Sequence, residues 1–156
     1  MGVRNGFLLL IVIILLTSCS ASRRARITKV ESVINMAESY VGTPYRYGGV
    51  SRSGMDCSGL LYLSFQSSGI QIPRTSREQS KFGKRVSMEE LKPGDLVFFA
   101  AKKHKRKVSH AGLVTQVNGN RSVKFIHSST SLGVVESELF TDYYRSIFVK
   151  ARRPKY

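Results

Sequence analysis

The spacing of the apolar residues changes near residue 90, and this change restricts the possible folds more than any other feature of the chain. Before that point, apolar residues in two segments recur every three to four positions, which predicts helices at 30–41 and 57–68, and the turn and helix cap at 73–76 predict a short polar helix at 77–82. Beyond it they form short runs rich in Val, Ile and Phe, which predict strands. These strands are expected at 96–99, 111–117, 123–127 and 147–151, with Asn118-Gly119-Asn120 as a hairpin turn. Helices followed by an antiparallel sheet make an α+β fold, and 156 residues fit one such domain.

The first 29 residues are expected to lie outside this domain. Residues 7–16 form an apolar run that is too short to span a bilayer, and Leu16-Thr17-Ser18-Cys19 resembles a bacterial lipobox. We therefore expect a lipoprotein signal peptide at 1–18, a lipidated Cys19 with a flexible tether at 19–29, and the domain at 30–156. An uncleaved membrane anchor is the alternative. In both cases the protein is expected in the cell envelope, held at a membrane, with the outer membrane facing the periplasm as one candidate.

Cys57 is the residue best suited to covalent chemistry. It follows a loop rich in Gly and Ser and begins the second predicted helix, within Asp56-Cys57-Ser58-Gly59. The unpaired N–H groups and the dipole at a helix start favour negative charge, so the pKa of this thiol is expected to be lowered. If Cys19 is acylated, Cys57 has no disulfide partner in an oxidising compartment. A small buried core residue is the alternative interpretation of Cys57.

Two histidines are candidates for the base that such a thiol needs. His110 opens a predicted strand, and Ala111-Gly112 after it leaves room for a side chain from another element. His127 ends the neighbouring strand, where it can accept the N–H of His110 and fix its tautomer. His104 lies in a run of lysines and is expected to be solvated. Zinc binding by these histidines and Cys57 is the competing hypothesis, but the chain has no CxxC or HxxxH pair, so no metal and no cofactor are expected.

The charge of the chain indicates which partners to expect. Basic residues outnumber acidic ones by 25 to 10, which gives a net charge of +15 and favours anionic partners. An exported chain without a nucleic-acid motif is expected to meet anionic lipid or cell wall and no nucleic acid. Residues 102–107 carry one cluster of this charge, and solvated surface is the alternative interpretation of that cluster.

Five sequence blocks occur in order and together resemble a known family. They are Tyr45-Arg46-Tyr47-Gly48-Gly49, Asp56-Cys57-Ser58-Gly59, Leu91-Lys92-Pro93-Gly94-Asp95-Leu96-Val97-Phe98-Phe99, Ser109-His110-Ala111-Gly112-Leu113-Val114 and Phe125-Ile126-His127-Ser128. The chain resembles the NlpC family of papain-like cell-wall peptidases, in particular its small single-domain lipoprotein members, over residues 34–152. The basic stretch at 102–107 is longer and more charged than is usual in that family.

The resemblance implies a papain-like core in which the cysteine helix packs on an antiparallel sheet that carries both histidines. It also implies six site residues: Cys57 as nucleophile, His110 as base, His127 as the orienting third member, Tyr45 at the oxyanion site with the N–H of Cys57, and Asp56 and Ser58, which would hold the loop and line the cleft near the substrate amine. No metal ligand is implied.

The activity implied by the resemblance is hydrolysis of amide bonds in peptidoglycan stem peptides or cross-links through a thioester. The bond is either D-glutamate to meso-diaminopimelate or diaminopimelate to D-alanine, with cross-link cleavage favoured by analogy to the small lipoproteins. Two alternatives are a papain-like amidase or acyltransferase and a non-catalytic wall-binding lipoprotein. The presence of Cys57, His110 and His127 together argues against the non-catalytic alternative. We expect a monomer.

Overall fold

The computed structural model describes residues 22–103, 105–119 and 122–156. The predicted signal peptide, Cys19 and the first residues of the predicted tether lie outside these ranges. Four helices are described: α1 at residues 22–38, α2 (Cys57–Gln66), α3 (Ser76–Gln79) and α4 (Asp142–Ile147). A small hairpin, β1 (Val50–Ser51) and β2 (Gly54–Met55), lies between α1 and α2.

A six-stranded antiparallel sheet makes up the second half of the domain. Its strands are β3 (Lys84–Val86), β4 (Leu96–Ala100), β5 (Val108–Asn118), β6 (Ser122–Ser129), β7 (Gly133–Glu138) and β8 (Phe148–Arg153). The order across the sheet is β3-β8-β4-β5-β6-β7. The α+β fold expected from the change in apolar spacing is therefore confirmed.

Strand β4 shows how the two halves of the domain share a core. All five of its residues are buried, because both faces of the sheet are covered. Leu96 and Phe98 pack in a cluster with residues of α1 and α2, whereas Val97 and Phe99 pack in a second cluster that includes Ile147 of α4. The sheet therefore lies between two apolar layers, and its middle strands hold the residues that they carry in fixed positions.

The strand pair β5–β6 confirms the predicted hairpin. Asn118 pairs with Ser122, and Gly119 in the turn has a φ of 63°, a conformation that glycine adopts without steric cost. The register continues through Leu113 opposite Ile126. This pairing brings the N-terminal part of β5 beside the C-terminal part of β6, which are the parts that carry the two histidines.

The flexible tether expected at residues 19–29 is helical where the structure describes it. Residues 22–29 belong to helix α1, although they were expected to be flexible. Arg and Ala are strong helix formers, and Arg23-Arg24-Ala25-Arg26 therefore extends the helix that the apolar pattern places from Val30 onwards. Within the described residues no helix is both long enough and apolar enough to cross a membrane.

Other differences concern short elements. Ile147 ends α4, so the last strand begins one residue later than predicted, at Phe148. Helix α3 begins at Ser76 and ends at Gln79, earlier than predicted, because Thr75 caps it through the N–H of Glu78. Strand β7 and helix α4 were not predicted. Both have only six residues, which is too few for a clear period of apolar residues.

Candidate active site

Cys57 is the first residue of α2, and its position is fixed by the residue before it. Asp56 has extended backbone geometry and its carboxylate accepts the N–H of Gly59 at 2.6 Å, which is the arrangement of a helix N-cap. The face of α2 that carries Leu60, Leu61 and Phe65 is buried against the sheet, as predicted. Cys57 is a free cysteine and is 7% exposed.

The ionisation of Cys57 differs from the expectation at the start of a helix. Burial has the largest effect and, together with the negative charge of Asp56, raises the pKa of Cys57 to about 11, although the backbone N–H groups of Ala111, Ser58 and Cys57 itself act to lower it. The expectation of a lowered pKa is therefore wrong, because removing the thiolate from water outweighs the helix-start N–H groups. At neutral pH the resting sulfur is a neutral thiol that requires a base.

His110 and His127 come together as the hairpin predicts. A β-bulge at Ser109 precedes His110, since Phe99 pairs with His110 while Ala100 pairs with Val108. His110 Nε2 lies 2.8 Å from His127 Nδ1, within hydrogen-bonding distance. Burial lowers the pKa of His110 to about 4, and burial together with the charge of His110 lowers that of His127 to about 3. Both rings are therefore neutral at neutral pH.

A second layer of polar groups lies behind His127. Its Nε2 is 3.0 Å from Ser137 Oγ and 3.2 Å from the Tyr144 hydroxyl. Phe125 stacks on the His127 ring with a centroid distance of 4.9 Å. The sequence alone points to neither Ser137 nor Tyr144. Ser137 lies on the same sheet face as His127, because it is two positions beyond Val135, which pairs with His127.

Cys57 and both histidines line one cleft with a volume of about 320 Å³. Tyr45 also lines it, and the pKa of its hydroxyl is raised first by burial and then by the negative charge of ionised Cys57. An isolated bridge between Tyr45 and Met55 fixes the backbone there. The remaining lining residues are Ala100, Ala101, Ser109, Ser129, Thr130, Tyr143, Tyr144 and Ile147. Four of the six residues expected at the site therefore share this cleft.

The other two expected residues, Asp56 and Ser58, are not among the residues that line this cleft. The Asp56 carboxylate receives hydrogen bonds from Gly48 N–H at 2.9 Å and from Ser58 Oγ at 2.9 Å, besides the one from Gly59. Arg74 donates to both carboxylate oxygens at 3.0 Å. These contacts connect α2 to the loop before it and to the loop before α3. A contact of Asp56 or Ser58 with a substrate amine stays a prediction.

Two glycines allow the close approach of the elements that carry the site. A Cβ atom on Gly59 would overlap the carbonyl oxygen of Gly49, and one on Gly112 would lie 2.5 Å from the Phe125 ring. The loop at residues 45–49 can therefore pack directly on the start of α2. Phe125 can likewise occupy the space beside β5 from which it stacks on His127.

The residues that the structure describes contain no group of three or more His, Cys, Asp or Glu side chains arranged to hold a metal ion. His110, His127, Ser137 and Tyr144 form a chain of hydrogen-bonding contacts, and Cys57 lines the same cleft as both histidines. Such an arrangement can transfer a proton from a thiol to an imidazole whose orientation is fixed from behind.

The low pKa values of the histidines predict a loss of stability in mild acid. Below about pH 6.5 the unfolded chain binds protons on both histidines while the folded chain does not, so stability falls as the pH falls towards the folded pKa values of about 4 and about 3. The variant His127→Gln keeps an amide that can hydrogen-bond on both sides. Between pH 7 and about pH 4.5 we expect its free energy of unfolding to fall by about 2 kcal/mol less than that of the wild type. Urea unfolding of the wild type and of His127→Gln at both pH values measures this difference. Equal losses in the two proteins would contradict it.

Comparisons with known proteins identify relatives of this chain. The chain is 37% identical over 155 residues to the "Probable endopeptidase NlpC" of Escherichia coli (strain K12), covering 94% of this chain and 97% of that protein. It is 39% identical over 123 residues to the "Gamma-DL-glutamyl hydrolase" of Bacillus subtilis (strain 168), covering 78% of this chain but only 28% of that protein.

A solved structure has the same fold. A crystal structure of an NlpC/P60 family protein from Bacillus cereus superposes with a TM-score of 0.72 at 35% identity, over 80% of this chain and 39% of that one. The sequence profile of the NlpC/P60 family matches residues 42–153, which include the Cys57 helix, both histidine strands and the loop with Tyr45. This protein therefore belongs to the NlpC/P60 family.

Proposed function

We propose that this protein is a cysteine endopeptidase that hydrolyses amide bonds in peptidoglycan stem peptides or in the cross-links between them. The observation that carries the proposal is the convergence of Cys57, His110 and His127 in one cleft, with the two imidazoles 2.8 Å apart. The family resemblance supports the substrate class. The relative named "Probable endopeptidase NlpC", which matches this chain over nearly its whole length, supports peptidase activity.

The first half of the proposed reaction forms a thioester. His110 Nε2 bonds to His127, which leaves His110 Nδ1 as the nitrogen available to the thiol. As the Cys57 sulfur attacks the amide carbon, Nδ1 accepts the thiol proton, so no free thiolate has to form in the buried site. The imidazolium then gives this proton to the amide nitrogen, the C–N bond breaks and the amine product leaves.

The second half hydrolyses the thioester. His110 Nδ1, neutral again, accepts a proton from a water molecule as the water oxygen attacks the thioester carbon. The C–S bond breaks, the carboxylic acid product leaves, and the proton returns from His110 to the Cys57 sulfur. In both halves negative charge develops on the carbonyl oxygen. The backbone N–H of Cys57, which has no acceptor within the helix because it is the first of that helix, and the Tyr45 hydroxyl are proposed to stabilise this charge.

Digestion of purified peptidoglycan tests the proposal. Wild-type protein and Cys57→Ala are incubated with it under reducing conditions, and the masses of the released fragments are compared. We expect the wild type, but not the variant, to release fragments cut within the stem peptide or the cross-link. The masses of these fragments identify the bond that is cut. Release of whole stem peptides from the glycan indicates an amidase instead. Identical fragment patterns for wild type, variant and buffer contradict both enzymatic functions and leave a wall-binding role.

The basic loop at residues 102–107 is proposed to hold anionic cell wall beside the cleft. The cleft is lined by Ala100 and Ala101, just before this loop, and by Ser109, just after it, so the loop leaves and rejoins the sheet at the cleft. The side chains of Lys102, Lys103, Lys105, Arg106 and Lys107 are exposed. Stem peptides and wall polymers carry carboxylates or phosphates, which such a loop attracts at low ionic strength.

Neutralising these five basic residues to Gln is therefore expected to weaken co-sedimentation with cell wall and to flatten its dependence on salt. A matched control removes five exposed basic residues elsewhere: Lys29, Arg77, Lys81, Lys92 and Lys155. Because both variants have the same net charge, a larger effect of the loop variant shows that the position of the charge matters. Equal behaviour of the two variants would assign the binding to net charge alone.

Membrane attachment through Cys19 is proposed from the sequence, since this residue lies outside the described part of the structure. Lipidation is supported by the lipobox-like Leu16-Thr17-Ser18-Cys19. We expect labelled palmitate to be incorporated into the protein in bacterial cells and to be lost in Cys19→Ala. The same variant should move from the membrane fraction to the soluble fraction. Retention in the membrane without label would favour the uncleaved anchor.

A further inference from the structure

Two hydroxyl groups behind His127 have no part in the reaction steps above. Ser137 on β7 and Tyr144 on α4 both place an oxygen near His127 Nε2, at 3.0 Å and 3.2 Å, and the two oxygens are 3.4 Å apart. His127 itself is 3% exposed. A buried imidazole nitrogen therefore has two polar neighbours from two different elements.

Packing fixes the position of the Tyr144 hydroxyl. The Tyr144 ring meets the Phe125 ring edge to face, with a centroid distance of 4.8 Å and an interplanar angle of 87°. It also lies 5.4 Å from the Phe99 ring. Phe125 in turn stacks on His127. The hydroxyl is therefore held against the imidazole by an aromatic cluster, and does not depend on a flexible side chain to reach it.

The two possible tautomers of His127 have opposite consequences for His110. If His127 carries its proton on Nε2, its Nδ1 can accept the Nε2–H of His110, and His110 Nδ1 is free to take the thiol proton. If His127 carries its proton on Nδ1, it donates to His110 Nε2. His110 must then carry its own proton on Nδ1, where it cannot act as a base towards Cys57.

We propose that Ser137 and Tyr144 are positioning residues that hold His127 in the Nε2–H tautomer. Tyr144 donates its O–H to Ser137 Oγ, so towards His127 the Tyr144 oxygen can only accept, and the donor facing it is the Nε2–H of His127. Without the pair, a proton on Nε2 would lack this acceptor. The pair therefore acts on Cys57 only through His127 and His110. This inference rests on the proposed roles of His110 and His127, and it extends the site to β7 and α4.

The inference is tested without substrate by NMR of the isotope-labelled histidine nitrogens in the full-length protein. Couplings from the ring nitrogens to the ring protons distinguish the two tautomers. We expect the Nε2–H form of His127 in the wild type. In the variant combining Ser137→Ala and Tyr144→Phe, we expect a detectable Nδ1–H form. A wild-type His127 in the Nδ1–H form overturns the inference, whether or not the double variant folds.

A second measurement follows the thiol. The alkylation rate of Cys57 at neutral pH is expected to fall by about tenfold in the double variant, as expected for the loss of a buried hydrogen-bond partner. Peptidoglycan cleavage should show a matching fall in kcat with KM unchanged. Ser137→Thr, which keeps a hydroxyl, should retain the wild-type rate. Ser146→Ala is the control, because this serine is on the same helix as Tyr144 but its hydroxyl donates to the Tyr143 carbonyl.

The outcomes separate this inference from the proposed function. An unchanged tautomer together with an unchanged alkylation rate in the folded double variant overturns the inference, even if the wild type cleaves peptidoglycan. A changed tautomer and a slower alkylation support it, even if no peptidoglycan fragment is released. In that second case Ser137 and Tyr144 keep their positioning roles, and only the proposal of peptidoglycan as the substrate is wrong.

Discussion

His110→Gln is expected to lower the rate of peptidoglycan cleavage at neutral pH by about a thousandfold or more. The reason is the environment of Cys57, where burial raises the pKa of the thiol to about 11. Without a base, only about one molecule in ten thousand carries a thiolate at pH 7. The Gln amide can still donate to His127 Nδ1, so the variant removes the proton acceptor and keeps the hydrogen bond behind it.

The pH dependence of this variant makes the prediction specific. Its remaining activity should rise about tenfold for each pH unit towards pH 11, because only hydroxide then removes the thiol proton. The wild-type rate should change little between about pH 6 and about pH 9, since His110, with its pKa lowered to about 4, is neutral throughout that range.

The alkylation rate of Cys57, measured across the same pH range, follows the thiol without any substrate. His104→Gln serves as the matched control for loss of a histidine, since His104 is expected on the surface. A wild-type alkylation rate that rises tenfold per pH unit, like that of the variant, would contradict the role of His110 as base.

The helix that presents Cys57 was predictable because its signals are local. Asp56 lies just before the apolar face of α2 and caps it, which is the usual sequence pattern of a helix start. The β5–β6 hairpin was predictable for the same reason, since its turn contains Gly119 at positive φ. The hairpin alone led us to expect that His110 and His127 meet, whereas the approach of Cys57 to them was implied by the resemblance to the NlpC family.

The ion pair of Asp56 with Arg74 and the bonds of His127 to Ser137 and Tyr144 could not be predicted in this way. Arg74 is 18 residues from Asp56 in sequence and Tyr144 is 17 residues from His127, so only the tertiary fold brings them together. Ser137 and Tyr144 also lie on elements of only six residues, which are too short to show an apolar period, and Arg74 lies in a loop.

The pKa of Cys57 was mispredicted for a different physical reason. A helix start lowers a thiol pKa, and that contribution is visible in sequence, but the degree of burial depends on all the elements that surround the sulfur. Because Cys57 is 7% exposed, the desolvation of the thiolate is the larger effect. Burial of a helix-start cysteine thus changes the proposed chemistry from a preformed thiolate to a thiol that loses its proton during attack.

Asp56→Ala is expected to lower the free energy of unfolding by about 3 kcal/mol, the largest effect on stability that we predict. The carboxylate caps α2 through Gly59 N–H, accepts Gly48 N–H from the preceding loop, and pairs with Arg74. Its side chain is only 12% exposed, so alanine leaves these donors without their acceptor in a largely buried place. The Arg74 side chain is 34% exposed and can regain some water, which keeps the expected loss near the lower end for a broken buried pair.

Urea unfolding of Asp56→Ala should therefore show a lower midpoint with an unchanged slope. Thr141→Ala is the matched control, because Thr141 caps α4 through the N–H of Tyr144 at an exposed site and has no ion pair. Thr141→Ala should lower the free energy of unfolding by about 1 kcal/mol or less.

The Arg74→Ala change tests the ion pair separately. It should lower the free energy of unfolding less in the Asp56→Ala protein than in the wild type, because in Asp56→Ala the charge of Arg74 has already lost its partner. If Asp56→Ala destabilised no more than Thr141→Ala, the carboxylate would act only as a helix cap. Its contacts with Arg74 and the loop would then contribute little to the position of Cys57.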